Sequence, residues 1–237
     1  MTETLSHTFI NNNSKNTILF LHGWGCNQSY MYALSESKLY NSLIIDLPGF
    51  GKNKELNTPY QIDDFIEEIL LFVNNFPYKI THIVSHSFGG KLTCRLYKFI
   101  KIKGIILIAP SIFHKTRGPK YYIKVMLYKI IKHIKLFKKT RNKMGSEDYV
   151  NLPPLMKKTM SNIINESVVK DVCKIDVPTI ILAGNKDKIT PIYLAKKAKK
   201  CIKDCEIIIQ EGNHFAFLYN KFQTIRIIES LVSQTCN

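Results

Sequence analysis

The sequence predicts an α/β fold, a mostly parallel sheet of about seven strands with helices on both faces. Three observations carry the prediction: short continuous runs of Ile, Val and Leu, amphipathic helical patterns between them, and one long interruption near the middle of the chain. Runs that are apolar at every position and bounded by turn residues fit strands buried on both faces, and such burial goes with parallel sheets. Strand runs alternating with helical patterns give the doubly wound arrangement.

Taken in order, a weak first strand at residues 5–10 precedes clear ones at 17–21 (TILFL) and 42–46 (SLIID). A helix follows at 62–76, with Ile62, Phe65, Ile66, Ile69, Leu70 and Val73 on one face. Its first turns are crowded by Asp63, Asp64, Glu67 and Glu68, where carboxylates complement the positive end of the helix. Next come a strand at 80–85 (ITHIVS), a helix at 88–100 and a strand at 104–109 (GIILIA). After the interruption the alternation resumes with a strand at 178–183, a helix at 191–202, a strand at 206–210 and a helix at 218–232.

The interruption covers residues 111–174. Ile123, Met126, Leu127, Ile130, Ile131, Ile134 and Phe137 fall on one helical face there, with Lys124, Lys132, Lys135 and Lys139 largely opposite. We read it as a small helical cap inserted into a core made of residues 1–110 and 175–237. It would lie over the C-terminal edge of the sheet, where open α/β sheets place their ligands.

A chain of 237 residues, 45% hydrophobic, suits one α/β domain with an insertion. No apolar run reaches the roughly 20 residues of a membrane-spanning helix. The polar first 16 residues, with Glu3, do not read as a signal peptide, so a cytoplasmic location is expected. The six cysteines are scattered without a CxxC pair, which predicts reduced thiols and neither a metal site nor a disulfide framework.

The net charge of +16 is unevenly spread: residues 69–146 hold no Asp or Glu, and residues 115–143 hold eleven Lys and Arg. That suggests an anionic partner or surface near the cap, or a solvated basic face. Nucleic acid is not expected, because the cations interleave with aliphatics at core spacing and no nucleic-acid motif is present.

Ser85-His86-Ser87-Phe88-Gly89-Gly90 follows a strand and opens a helix. A serine at such a junction sits on a sharp turn with its hydroxyl exposed above the sheet, a nucleophile elbow of the pattern G-x-S-x-G with Ser85 at the first position. His22-Gly23-Trp24-Gly25 follows the strand at 17–21. Its glycines let the backbone N–H of Trp24 turn inward, where with that of Phe88 it would form an oxyanion hole. His22, Gly23, Trp24, Phe113 and Phe215 are expected at the substrate site. The side chains of His22, His82, His86 and His114 are read as structural hydrogen bonders.

The base is expected late in the chain, and His214, in Glu211-Gly212-Asn213-His214-Phe215 after the last strand, meets that expectation. For the acid, the loop after 104–109 lies inside the carboxylate-free span, so a later strand must supply it. Asp187 follows the strand at 178–183, whereas Asp176 and Asp204 precede their strands at the wrong end.

HGWG, the turn Asp46-Leu47-Pro48-Gly49-Phe50-Gly51, SHSFGG, GNKD and GNH stand in the order of the α/β-hydrolase superfamily, which the chain resembles over residues 17–110 and 175–235. HGWG followed by Asn27, together with DLPGFGK, is similar to the pimeloyl-acyl-carrier-protein methyl ester esterases of biotin synthesis. The resemblance implies a cofactor-free serine esterase with Ser87 as nucleophile, His214 as base and Asp187 as the orienting acid, working through an acyl-enzyme. The substrate is expected to be a small or carrier-bound acyl ester, with an acidic acyl carrier protein docking on the basic cap. The alternative is peripheral membrane contact through that cap, with a lipid-type ester or acyl thioester as substrate. A hydrolase-like protein that only binds a ligand would show a broken triad or a filled oxyanion loop, and the sequence shows neither.

Overall fold

The structure is a computed structural model that describes residues 5–53, 55–113 and 152–235. The lysine-rich helical pattern of the expected cap and His114 lie outside the described residues. The elements, in chain order, are β1 (His7–Ile10), β2 (Thr17–Leu21), α1 (Gln28–Tyr32), β3 (Asn41–Ile45), α2 (Ile62–Asn74), β4 (Ile80–His86), α3 (Phe88–Leu96) and β5 (Gly104–Ile108). They continue as α4 (Pro154–Asn165), α5 (Val169–Val172), β6 (Thr179–Gly184), α6 (Ile192–Lys199), β7 (Cys205–Gln210), α7 (Ala216–Tyr219) and α8 (Lys221–Gln234).

The seven described strands form one sheet in the order β1-β3-β2-β4-β5-β6-β7, with only β1 antiparallel to its neighbour. The five residues of each of β2, β3 and β5 are all buried, as their unbroken apolar runs predict. Because side chains alternate along a strand, each run feeds two cores. Leu19, Leu21, Ile83, Ile105 and Leu107 pack on one face with Phe65 and Ile69 of α2 and Leu92 of α3. Ile18, Phe20, Val84, Ile106 and Ile108 pack on the other with Met31 of α1 and Ile228, Leu231 and Val232 of α8.

Strand positions agree with the sequence reading to within one or two residues; helix ends differ more. The helix expected over 88–100 stops at Leu96, where the Tyr97 amide turns to the Thr93 carbonyl at 2.9 Å. The helix expected over 218–232 is two helices broken at Asn220, whose amide side chain donates to the carbonyls of Glu211 and Ala216, both at 2.8 Å. A short polar side chain that serves nearby backbone acceptors competes with the helical ladder, which explains the break.

Ion pairs tie α4 and α5 to the helices on this face of the sheet. The Arg95 guanidinium on α3 pairs with Asp63 of α2, with Glu166 after α4 at 3.1 Å and with Asp171 of α5 at 2.6 Å. Lys98 adds a second contact to Asp171 at 2.5 Å. Beside them the buried Lys91 ammonium donates to the Ile163 carbonyl; burial lowers its pKa to about 8, against the opposing pull of Glu166. Removing Arg95 leaves the buried Asp171 with Lys98 alone while the exposed Asp63 is solvated, at a cost of about 1–3 kcal/mol. Arg95→Ala is therefore expected to lower Tm in a thermal melt by roughly 3–10 °C. Lys186→Ala, which breaks an exposed pair with Glu211, should shift Tm by no more than about 2 °C.

Candidate active site

In a parallel sheet the C-terminal ends of β2, β4, β5, β6 and β7 all open on one side, so residues far apart in the chain meet there. Ser87 stands between β4 and α3 with φ 50° and ψ −107°, a backbone that non-glycine residues adopt only when their surroundings impose it. The surroundings do so. The Ser87 amide donates to the Ile108 carbonyl at 2.9 Å, and the Ser87 carbonyl accepts from Gly90, Lys91 and Ser111. Close approach of α3 requires Gly89: a Cβ there would sit 2.6 Å from the Leu21 carbonyl oxygen.

Ser85, in the place usually held by glycine, is accommodated by a partner. Its hydroxyl lies 2.8 Å from that of Thr93, which also donates to the Gly89 carbonyl at 2.9 Å. Polar at both ends and fully buried, the pair leaves no stranded hydroxyl.

His214 Nε2 lies 2.9 Å from Ser87 Oγ, and His214 Nδ1 lies 2.7 Å from Asp187 Oδ2. A carboxylate only accepts, so Nδ1 carries the hydrogen and Nε2 is left to accept the serine proton. The Asp187 side chain is fully buried; its Oδ1 accepts from the amides of Ile189 at 2.7 Å and Thr190 at 3.0 Å. Burial alone would raise the Asp187 pKa, but the hydrogen bond and charge of His214, with the bonds from Thr190, bring it down to about 2.

Thr190 is a participant that sequence reasoning did not single out. Its hydroxyl donates to Asp187 Oδ2 at 2.8 Å and lies 3.2 Å from the Ala109 carbonyl and 3.3 Å from His214 Nδ1. The signal available was the Asp-x-x-Thr spacing, which folds the hydroxyl and two amides back onto the carboxylate.

Phe88 is the first residue of α3, so its amide has no intrahelical acceptor and lies at the positive end of the helix. The Trp24 ring packs edge-on against that of Phe88 at 5.6 Å, which brings the two residues expected to form an oxyanion hole side by side. Gly23 borders the serine: a Cβ on it would lie 3.3 Å from Ser87 Cβ. The Phe215 ring stands 5.6 Å from that of His214 and 5.7 Å from that of Tyr30.

Of the residues expected at the substrate site, His22 has the structural side chain that the sequence predicts for it, and Phe113 is buried away from the hydrogen-bonded line of the Ser87 hydroxyl. His22 is fully buried: its Nε2 accepts from the Leu47 amide at 2.9 Å, which leaves Nδ1 to donate to the Gly23 carbonyl at 2.7 Å. Both ring nitrogens are spent in joining the loop after β2 to the loop after β3, so the residue is structural. Phe113 is buried in the α2–α3 core, with the Lys197 ammonium 4.5 Å from its ring centroid. Among the described residues, no group of three or more His, Cys, Asp or Glu could hold a metal ion.

Sheet order and elbow define an α/β hydrolase. The Alpha/beta hydrolase family matches residues 18–221, and the chain belongs to it. Its relatives include the AB hydrolase superfamily protein YisY of Bacillus subtilis, 25% identical over 93% of this chain and 91% of that protein. A pimeloyl-[acyl-carrier protein] methyl ester esterase of Wigglesworthia glossinidia brevipalpis is also 25% identical, over 92% of this chain and 93% of its own. Among solved structures, a lipase-esterase related protein from Clostridium acetobutylicum superposes with a TM-score of 0.74 at 19% identity, covering 97% of this chain and all of that one.

The buried histidines set a pH dependence. Burial pushes the pKa of His82 down to about 4, and burial with the neighbouring His214 pushes that of His86 down to about 3. An unfolded histidine titrates near 6.5, so between these values the unfolded chain binds protons that the native chain refuses. Stability is therefore complete above about pH 6.5 and falls as the pH drops, each of the two costing on the order of 2–3 kcal/mol by pH 4. Thermal melts are expected to be flat above pH 7 and to fall steeply from pH 6.5 to 4, with a shallower slope in His82→Gln.

Proposed function

We propose that the chain is a serine hydrolase that cleaves carboxylic esters through an acyl-enzyme. The observation that carries the reading is the hydrogen-bonded line from Asp187 through His214 to Ser87, beside the free amide of Phe88. As Ser87 Oγ attacks the ester carbonyl, His214 Nε2 takes its proton and later delivers it to the leaving alcohol. Asp187 holds the imidazole in the tautomer this requires and stabilises the imidazolium. The amides of Phe88 and Trp24 receive the oxyanion, and water, deprotonated by His214, then releases the acid. Ser87→Ala is expected to abolish covalent labelling by a fluorophosphonate probe and to lower kcat on p-nitrophenyl esters by at least about 10⁴-fold, with Asp187→Asn losing about 10⁴-fold. Labelling that survives in Ser87→Ala would overturn the assignment.

For the substrate we propose an acyl ester presented by an acidic carrier protein, in the manner of a pimeloyl-acyl-carrier methyl ester. The distant relationship to an esterase of that name and the eleven cations of residues 115–143 support this reading. Cations near the site would steer an acidic carrier and raise the encounter rate without touching the chemistry. Replacing Lys132, Lys135 and Lys139 with Gln should lower kcat/KM for the carrier-bound ester about 10- to 100-fold at low salt and leave a free methyl ester unaffected. An equal rate on both would point instead to the lipid-ester alternative, which liposome co-sedimentation tests directly; among the described residues no helix is long and apolar enough to cross a membrane.

A further inference from the structure

We infer that His86 is a positioning residue that clamps the loop bearing His214 in place. The inference rests on the hydrolase reading for its consequence in catalysis, and on geometry alone for the clamp.

His86 is the last residue of β4, and its side chain is 1% exposed. Its Nε2 lies 3.1 Å from the carbonyl oxygen of His214. A carbonyl only accepts, so Nε2 carries the hydrogen and, the ring being neutral, Nδ1 is bare. Among the described residues, that buried Nδ1 has no hydrogen-bond partner. It faces Gly23, where an added Cβ would come within 2.8 Å of it. Rings of His214, Phe215 and Phe217 surround the imidazole at centroid distances of 4.8, 5.2 and 4.9 Å.

The orphaned nitrogen argues for a role. An aromatic ring needed only to fill this space would do so better as phenylalanine, which buries no unpaired acceptor. An imidazole here gives up one hydrogen bond at Nδ1 and gains one contact that phenylalanine cannot make, the bond to the main chain of the base itself. One side of the ring therefore holds the His214 backbone and the other abuts the glycine loop that carries Trp24. The preceding and following residues complete the division of labour along β4: Ser85 is bonded to Thr93 of α3, His86 to the base loop, and Ser87 to the base side chain. Fixing the main chain of residue 214 keeps its Nε2 within reach of Ser87 Oγ while Asp187 fixes the opposite nitrogen, and positional errors of this kind act on kcat.

Three variants separate the bond from the packing. His86→Gln keeps an N–H donor near the position of Nε2; His86→Phe and His86→Leu remove it, the first with the ring volume preserved. With folding checked by thermal melts, the donor-less variants are expected to lose about 10- to 100-fold in kcat on a p-nitrophenyl ester, with KM changed by less than about threefold. His86→Gln should recover most of the loss. A readout that needs no substrate is the low-field proton resonance of His214 Nδ1–H bonded to Asp187. It should persist in wild type and His86→Gln and broaden or vanish in whichever of His86→Phe and His86→Leu folds. Wild-type kcat and an intact resonance in a donor-less variant, or a Gln variant no better than Phe, would overturn the clamp. Absence of esterase activity in wild type with the resonance behaving as described would overturn the hydrolase reading and leave the clamp standing.

Discussion

The site depends on a backbone conformation that Ser87 would not choose for itself. A positive φ at a residue with a side chain persists only because the main chain on both sides of it is claimed: its amide by the end of β5, its carbonyl by α3 and by Ser111. The strain turns the hydroxyl out of the sheet at the one point where a strand ends and a helix begins. Everything else follows from that placement. Phe88 becomes a first helical residue whose amide has no intrahelical acceptor, β2 must pass close enough to demand Gly89, and the loops after β6 and β7 must reach the same point to meet the hydroxyl.

Apart from His86 Nδ1, the polar groups brought to this crowded edge find partners that tie its loops together. His22 joins the loops after β2 and β3, and Asp46 gathers Gln28 and Lys52 around the same turn. Thr190 closes the loop after β6 on Asp187, and the amide of Lys186 reaches the Gly212 carbonyl at 2.8 Å, lacing that loop to the one after β7. Such networks pre-set geometry before any substrate arrives, so little reorganisation remains for the reacting state.

How much of this the sequence disclosed depends on the range of the interaction. Strands such as 17–21 and 104–109 were legible because burial on both faces leaves no polar position to blur the pattern. Ser87, Asp187 and His214 were legible because strand order places them, and the carboxylate-free stretch removed the competing acid position. The His22 side chain was legible as a structural hydrogen bonder, whereas the burial of Phe113 was not, because proximity in sequence to a site says nothing about which way a side chain faces. Thr190 carried a local signal in its spacing from Asp187, whereas the Ser85–Thr93 pair and the bond from His86 to residue 214 were hidden for another reason: each is a contact whose partner is chosen by tertiary packing. The break at Asn220 belongs with them, since apolar spacing continues across it and only the acceptor on Glu211 reveals the interruption.

Arg95 and its carboxylates have a consequence for how such a molecule can diversify. Phe113 is sunk in the core before residues 114–151, and Glu166 and Asp171 after them are riveted to Arg95 of α3. Anchors of this kind hold the core independently of what the chain does between them. Variation between those anchors need not disturb the sheet edge where Ser87, Asp187 and His214 meet.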